Sequence, residues 1–135
     1  MPERRRIVVR SAQREELIDI TPRVVERVEA SGVSDGVICL WSLHTTCGLT
    51  VNEGADPDVA RDLIHMMRIL APRSGDYRHS EGNSDAHFKT ALFGPGLSLI
   101  IERGKLALGT WQHVFLAEWD GPRPREIAYT LIRTG

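Results

Sequence analysis

The stretch from Val37 to Thr46, VICLWSLHTT, decides the fold. Its first half is apolar without alternation, as in a strand inside a sheet with both faces covered. Side chains alternate along a strand, so Ile38, Leu40, Ser42 and His44 share one face. That face turns polar towards the strand's end.

Elements of both kinds extend outward from this strand. Towards the N-terminus, Arg6 to Arg10 reads as a first strand. Thr21-Pro22 opens a helix, with Thr21 as N-cap and proline at the first helical position. Val24, Val25 and Val28 line one face of it, and Gly32 ends it. Towards the C-terminus, Asp56-Pro57 repeats the cap-then-proline start. Val59, Leu63, Met66 and Leu70 then form a stripe of helical period, closed by Ala71-Pro72. Tyr77 to Asp85 is a polar loop, and Asp85 is placed to cap a short third helix, Ala86 to Phe93, stopped by Gly94-Pro95. Leu97 to Glu102, Leu106 to Ala117 and Glu126 to Arg133 read as strands joined at Arg103-Gly104 and Asp120-Gly121-Pro122. Two main helices in the first half and strands in the second predict an α+β fold. It is a largely antiparallel sheet or sandwich with helices on one side, in one domain over residues 1–135.

Composition narrows the function. The chain of 135 residues carries 17 basic and 18 acidic side chains, a net charge of −1. That balance gives no electrostatic reason to bind nucleic acid or an anionic membrane. Arg4-Arg5-Arg6 reads as a solvated strand edge. No apolar run approaches the roughly 20 residues that span a bilayer, and MPERRRIVVR lacks the apolar segment of a secretion signal. The expected compartment is the cytoplasm, where Cys39 and Cys47 stay reduced.

Three histidines fall where function usually lives. His44 is at a strand end, His79 in the polar loop and His87 in the first turn of the short helix. Three imidazoles with an open fourth position make a catalytic metal site, although unrelated polar histidines would give the same spacing. Asn52-Glu53 and Glu81 supply carboxylates and an amide nearby. Lys89, Arg123 and Arg125 could hold a phosphate. Gly109 interrupts an apolar strand just before Trp111 and Gln112, an indole able to stack on a heteroaromatic ring and an amide able to read its edge.

These residues also carry a resemblance. HTTCGLTVNE at 44–53, Asp56-Pro57, Gly75-Asp76-Tyr77 with His79, Glu81-Gly82 and His87-Phe88-Lys89 follow the pattern of the YjbQ family, also called the secondary thiamine-phosphate synthase family. Gly104, Gly109-Thr110-Trp111-Gln112, Glu118 and Arg123 to Arg125 continue it, in order. The resemblance implies a homotrimer with a pocket near a subunit boundary and a divalent metal held by His44, His79 and His87. Three imidazoles suit Zn²⁺, whereas the chemistry suits Mg²⁺ or Mn²⁺. Asn52, Glu53, Lys89, Trp111, Gln112 and Arg125 also match motif positions.

The family name implies a weak transferase activity joining an aminopyrimidine methyl pyrophosphate to a thiazole phosphate. On that reading Glu53, Lys89, Gln112 and Arg125 serve catalysis, and Asn52, Trp111 and Arg123 hold a small phosphorylated heteroaromatic ligand. Two alternatives stand beside it. One is a metal-dependent hydrolase with Glu53 or Glu81 as general base. The other is a non-catalytic trimer that binds a metal or ligand. Apolar residues in the late strands, Leu97, Ile100, Leu106 and Val114 among them, exceed what one sheet face needs and point independently to self-association.

Overall fold

A computed structural model describes residues 4–135; Met1 to Glu3 lie outside it. Eight strands and three helices run β1 (Arg6–Arg10), β2 (Glu16–Asp19), α1 (Thr21–Ser31), β3 (Gly36–Ser42), β4 (Cys47–Glu53), α2 (Pro57–Leu70), α3 (Ser84–Phe93), β5 (Gly96–Glu102), β6 (Lys105–Leu106), β7 (Gln112–Glu118) and β8 (Pro124–Arg133). One sheet has the order β1-β8-β3-β5-β6, the other β2-β7-β4. Neighbouring strands in both pair antiparallel. The expected α+β sandwich is present, and among the described residues no helix is long and apolar enough to cross a membrane.

The main core lies between the sheets. Ile38 and Leu40 of β3 and Ile127 of β8 meet Leu49 of β4 and Val114 and Leu116 of β7, with Val24 and Val28 of α1 packed among them. β7 is buried from Val114 to Glu118, and Trp119 beyond it is buried too. Its outer face carries Ala117 and Trp119, which pack with Met67 of α2 and Ala86 of α3.

Several elements differ from the sequence reading. β3 ends at Ser42 and a separate strand, β4, begins at Cys47. The uninterrupted apolar-to-polar pattern hid the turn between them. β3 is also covered on one face only, because Trp41 on the other is 55% exposed. The expected strand from Leu106 to Ala117 is broken into β6 and β7 around Gly109.

The helices take more than one side. α2 and α3 cover the outer face of the three-stranded sheet, whereas α1 packs within the main core. α1 takes its first turn from Asp19, whose Oδ1 accepts from the Thr21 amide at 2.9 Å. Thr21 is occupied in accepting from the Val114 amide. Asp85 does not cap α3, which starts at Ser84, two residues before the expected Ala86; its carboxylate is buried and bound to Arg14 and Lys89. Asp56 caps α2 as expected, accepting from the Asp58 amide at 2.9 Å. The apolar stripe of α2 is turned, however. Met67 is its buried residue, while Met66 and Leu70 are 61% and 62% exposed.

Candidate functional site

The turn between β3 and β4 and the first two turns of α3 enclose a cleft of about 550 Å³ lined by Trp41, Leu43, His44, Thr45, His87, Thr90 and Pro95, among others. Sequence spacing explains the helix side. His87, Thr90 and Ala91 lie three and four residues apart and so share a face. On the sheet side, Trp41 pairs across the strands with Gly96. A Cβ on Gly96 would stand 2.8 Å from the indole, so glycine lets the ring lie against β5. Thr90 is buried, and its Oγ1 has no partner among the described residues.

His44 and His87 line this cleft, and the His79 ring stands 5.4 Å from that of His87, edge to face. The three expected histidines are therefore neighbours. They do not form a ligand set. His44 Nε2 accepts the Glu126 backbone N–H at 2.8 Å, so its lone pair is committed. A neutral imidazole then carries its proton on Nδ1 and has no free pair for a metal. Metal-bound histidines show the reverse arrangement, the second nitrogen donating to a carbonyl or carboxylate. His79 Nε2 turns towards Glu81 at 3.6 Å. Among the described residues, no group of three His, Cys, Asp or Glu is arranged to hold a metal. The three-histidine centre does not fit this arrangement. Burial, with the Arg125 charge adding to it, also holds the His44 pKa below its usual value.

Lys89 and Arg125 are structural rather than ligand-facing. Lys89 is 1% exposed, and its ammonium bonds Glu15 at 2.8 Å and Asp85 at 2.7 Å, above the Trp119 ring. Arg14 clamps the same Asp85 with both guanidinium nitrogens. Arg125, also 1% exposed, bonds Glu118 through two nitrogens and donates to Thr46. Burial alone would raise the Glu118 carboxyl; hydrogen bonds from Arg125 and Ser11 outweigh it and hold the pKa down. Both cations are spent on buried carboxylates, a requirement of folding that their sequence position did not reveal. Arg123 is half-exposed and tied to Asp120.

The remaining candidates lie at the far end of β4. Glu53 pairs with Gln112, whereas Cys47, beside the cleft, pairs with Glu118. Seven residues of strand put these ends about 20 Å apart. Glu53 Oε2 accepts from the Asp56 amide, and Asn52 Oδ1 from the Glu53 amide. Gln112 Oε1 folds back onto the Gly109 amide at 2.8 Å. Trp111 is 62% exposed. The chain thus holds two separate groups where the sequence suggested one pocket.

Sequence reasoning missed Trp41 and Thr90 as cleft residues. The helical spacing from His87 to Thr90 was the available signal. It also passed over His113, whose Nδ1 sits 2.6 Å from Asp19 Oδ2. Gly54 makes room for that ring, since a Cβ there would lie 2.1 Å from it. Both cysteines are free thiols, as expected, and burial pushes that of Cys47 up.

The YjbQ-like UPF0047 protein family matches residues 5–134. A UPF0047 protein of Methanocaldococcus jannaschii is 46% identical over 124 residues, 92% of this chain and 90% of that protein. The UPF0047 protein YugU of Bacillus subtilis is 40% identical over 118 residues, 87% and 89% of the two chains. A crystal structure of a YjbQ/UPF0047 family protein from Clostridium acetobutylicum superposes with a TM-score of 0.92 at 46% identity, covering 94% of this chain and 98% of that one. With one continuous match over residues 5–134, which span the sandwich, the chain belongs to the YjbQ-like UPF0047 family.

Proposed function

We propose that the protein is a slow transferase of the thiamine-phosphate synthase kind, acting in the cytoplasm as a homotrimer. The cleft carries this reading: it sets an indole and apolar wall beside two imidazoles. A planar heteroaromatic body suits the wall, and phosphate oxygens suit the donors. In the reaction the thiazole nitrogen attacks the pyrimidine methylene. The new C–N bond forms as the C–O bond to pyrophosphate breaks, and the electron pair leaves on oxygen. Donors fixed beside that oxygen lower the barrier. His87 and His44 are the candidates, in place of Lys89 and Arg125. A divalent ion enters this reading as Mg²⁺ or Mn²⁺ carried on the substrate pyrophosphate, since these ions take oxygen ligands.

The trimer has support of its own. Val8, Trp41, Ile100 and Ile132, each more than half exposed, stand on the outer face of the five-stranded sheet. An apolar face of this kind is commonly an association surface. Assembly would also give Asn52, Glu53, Trp111 and Gln112 of one copy a route to the cleft of another. No carboxylate of the same copy lines the cleft among the described residues, so the hydrolase reading needs its glutamate base from another copy.

The test is direct incubation of the purified protein with the aminopyrimidine methyl pyrophosphate and the thiazole phosphate. Thiamine phosphate is expected to form slowly with Mg²⁺. No product above the uncatalysed background with Mg²⁺, Mn²⁺ or Zn²⁺ would remove this activity, leaving ligand binding as the function.

A further inference from the structure

His44 has two ring nitrogens and one settled hydrogen bond. Glu126 presents its backbone N–H to Nε2 at 2.8 Å. A backbone amide cannot accept at nitrogen, so the roles in that bond are fixed and with them the tautomer. The proton of the neutral ring sits on Nδ1, and no acceptor among the described residues takes it. Rotating the ring by half a turn would put a carbon against the amide, so the orientation is fixed as well. Thr90, on the face of α3 that carries His87, also lines the cleft, but its hydroxyl, which has no partner among the described residues, is shut off from it.

From this geometry we infer that His44 is a fixed hydrogen-bond donor, through Nδ1–H, to an acceptor oxygen of the ligand, and that it is not a metal ligand. The ligand class follows from the walls: an oxyanion-bearing molecule with an aromatic body, His44 taking an oxygen and Trp41 the ring. The donor role stands on the His44 ring alone. The ligand class rests on the reading of the cleft given above.

Histidine-selective ¹⁵N–¹H NMR of the full chain reads the tautomer directly, with His44→Asn identifying the resonance. The proton is expected on Nδ1. One equivalent of ZnCl₂ should leave the His44 nitrogens unmoved, even if it perturbs His79 or His87. Phenyl phosphate is the ligand probe and should shift the His44 Nδ1–H resonance. Asparagine places its amide N–H near the position of Nδ1, whereas glutamine reaches the position of Nε2. His44→Asn should therefore bind phenyl phosphate within about threefold of the wild type. His44→Gln should weaken it about three- to tenfold, the range for one neutral hydrogen bond.

A proton found on Nε2, or a His44 signal moved by zinc, would overturn the donor assignment. Failure of phenyl phosphate to shift the resonance, or equal losses in His44→Asn and His44→Gln, would overturn the acceptor-oxygen ligand. Failure to make thiamine phosphate would touch neither result, so the two readings fail separately.

Discussion

Arg125 and Glu118 carry opposite charges where water does not reach, and each is the other's main partner. Glu118→Gln leaves a buried guanidinium without its counter-charge. The expected loss is about 3–5 kcal/mol, read as a lower urea midpoint at neutral pH. Lys89→Met should cost less, because Glu15 keeps Arg68 and Asp85 keeps Arg14. The sign of the pH dependence follows. The pKa values of Glu118, Asp85 and Glu15 are held down in the folded chain: burial opposes the shift, and bonds to Arg125, Arg14, Arg68 and Lys89 outweigh it. Their stabilisation is therefore complete above the usual carboxyl values of about 4 and is lost as pH falls through the lower folded values. The gap between wild type and Glu118→Gln should narrow in acid; a constant gap would contradict the ion-pair account. At this scale the sequence identified His44, His79 and His87 as neighbours. It could not show which nitrogen of His44 was free, because the partner is a backbone amide 82 residues away. Lys89 and Arg125 looked like phosphate donors because their carboxylates also come from distant segments.

α2 shows how a correct element can be read with the wrong face inward. The stripe Val59-Leu63-Met66-Leu70 has a helical period, but so does the set containing Ala60, Ile64 and Met67, shifted by one residue. Periodicity alone does not choose between two adjacent apolar stripes on a helix this rich in them. Tertiary packing chooses: Met67 and Ile64 meet Trp119 and Ala117 of the β7 segment. Met67→Ala should cost about 2–5 kcal/mol, whereas Met66→Ala should stay within about 0.5 kcal/mol in monomer stability. Thermal unfolding of the two variants checks this, and equal losses would mean that α2 sits the other way round. β2 and β4 escaped the sequence reading for a related reason. β2 has only four residues, neither strand alternates cleanly, and their places are fixed by pairing with β7 on either side. The two proline-started helices, the Gly32 stop and the Arg103-Gly104 turn were legible because each depends on local backbone chemistry; Gly32 and Gly104 both take positive φ.

The molecule as a whole exposes large apolar side chains on two sides, Met66, Ile69, Leu70 and Leu92 on α2 and α3, and Val8, Trp41, Ile100 and Ile132 on the outer sheet face. If that sheet face closes the proposed trimer, a charge on it should open the assembly. Trp41→Glu combined with Ile100→Glu is expected to lower the mass seen by light scattering to that of one chain, with far-ultraviolet dichroism retained. A wild type that scatters as a monomer at micromolar concentration would exclude the trimer. Trp41 also stands at a junction. One side of the indole borders the cleft, and the residue belongs to the exposed sheet face. A molecule entering the cleft and a subunit covering the sheet would both press on the same ring. Two binding events that share a side chain are thermodynamically linked, and the linkage is reciprocal: whatever factor assembly applies to ligand affinity, ligand applies to assembly. Occupancy of the cleft would then be felt as a change in subunit affinity, with no moving domain needed to carry the message.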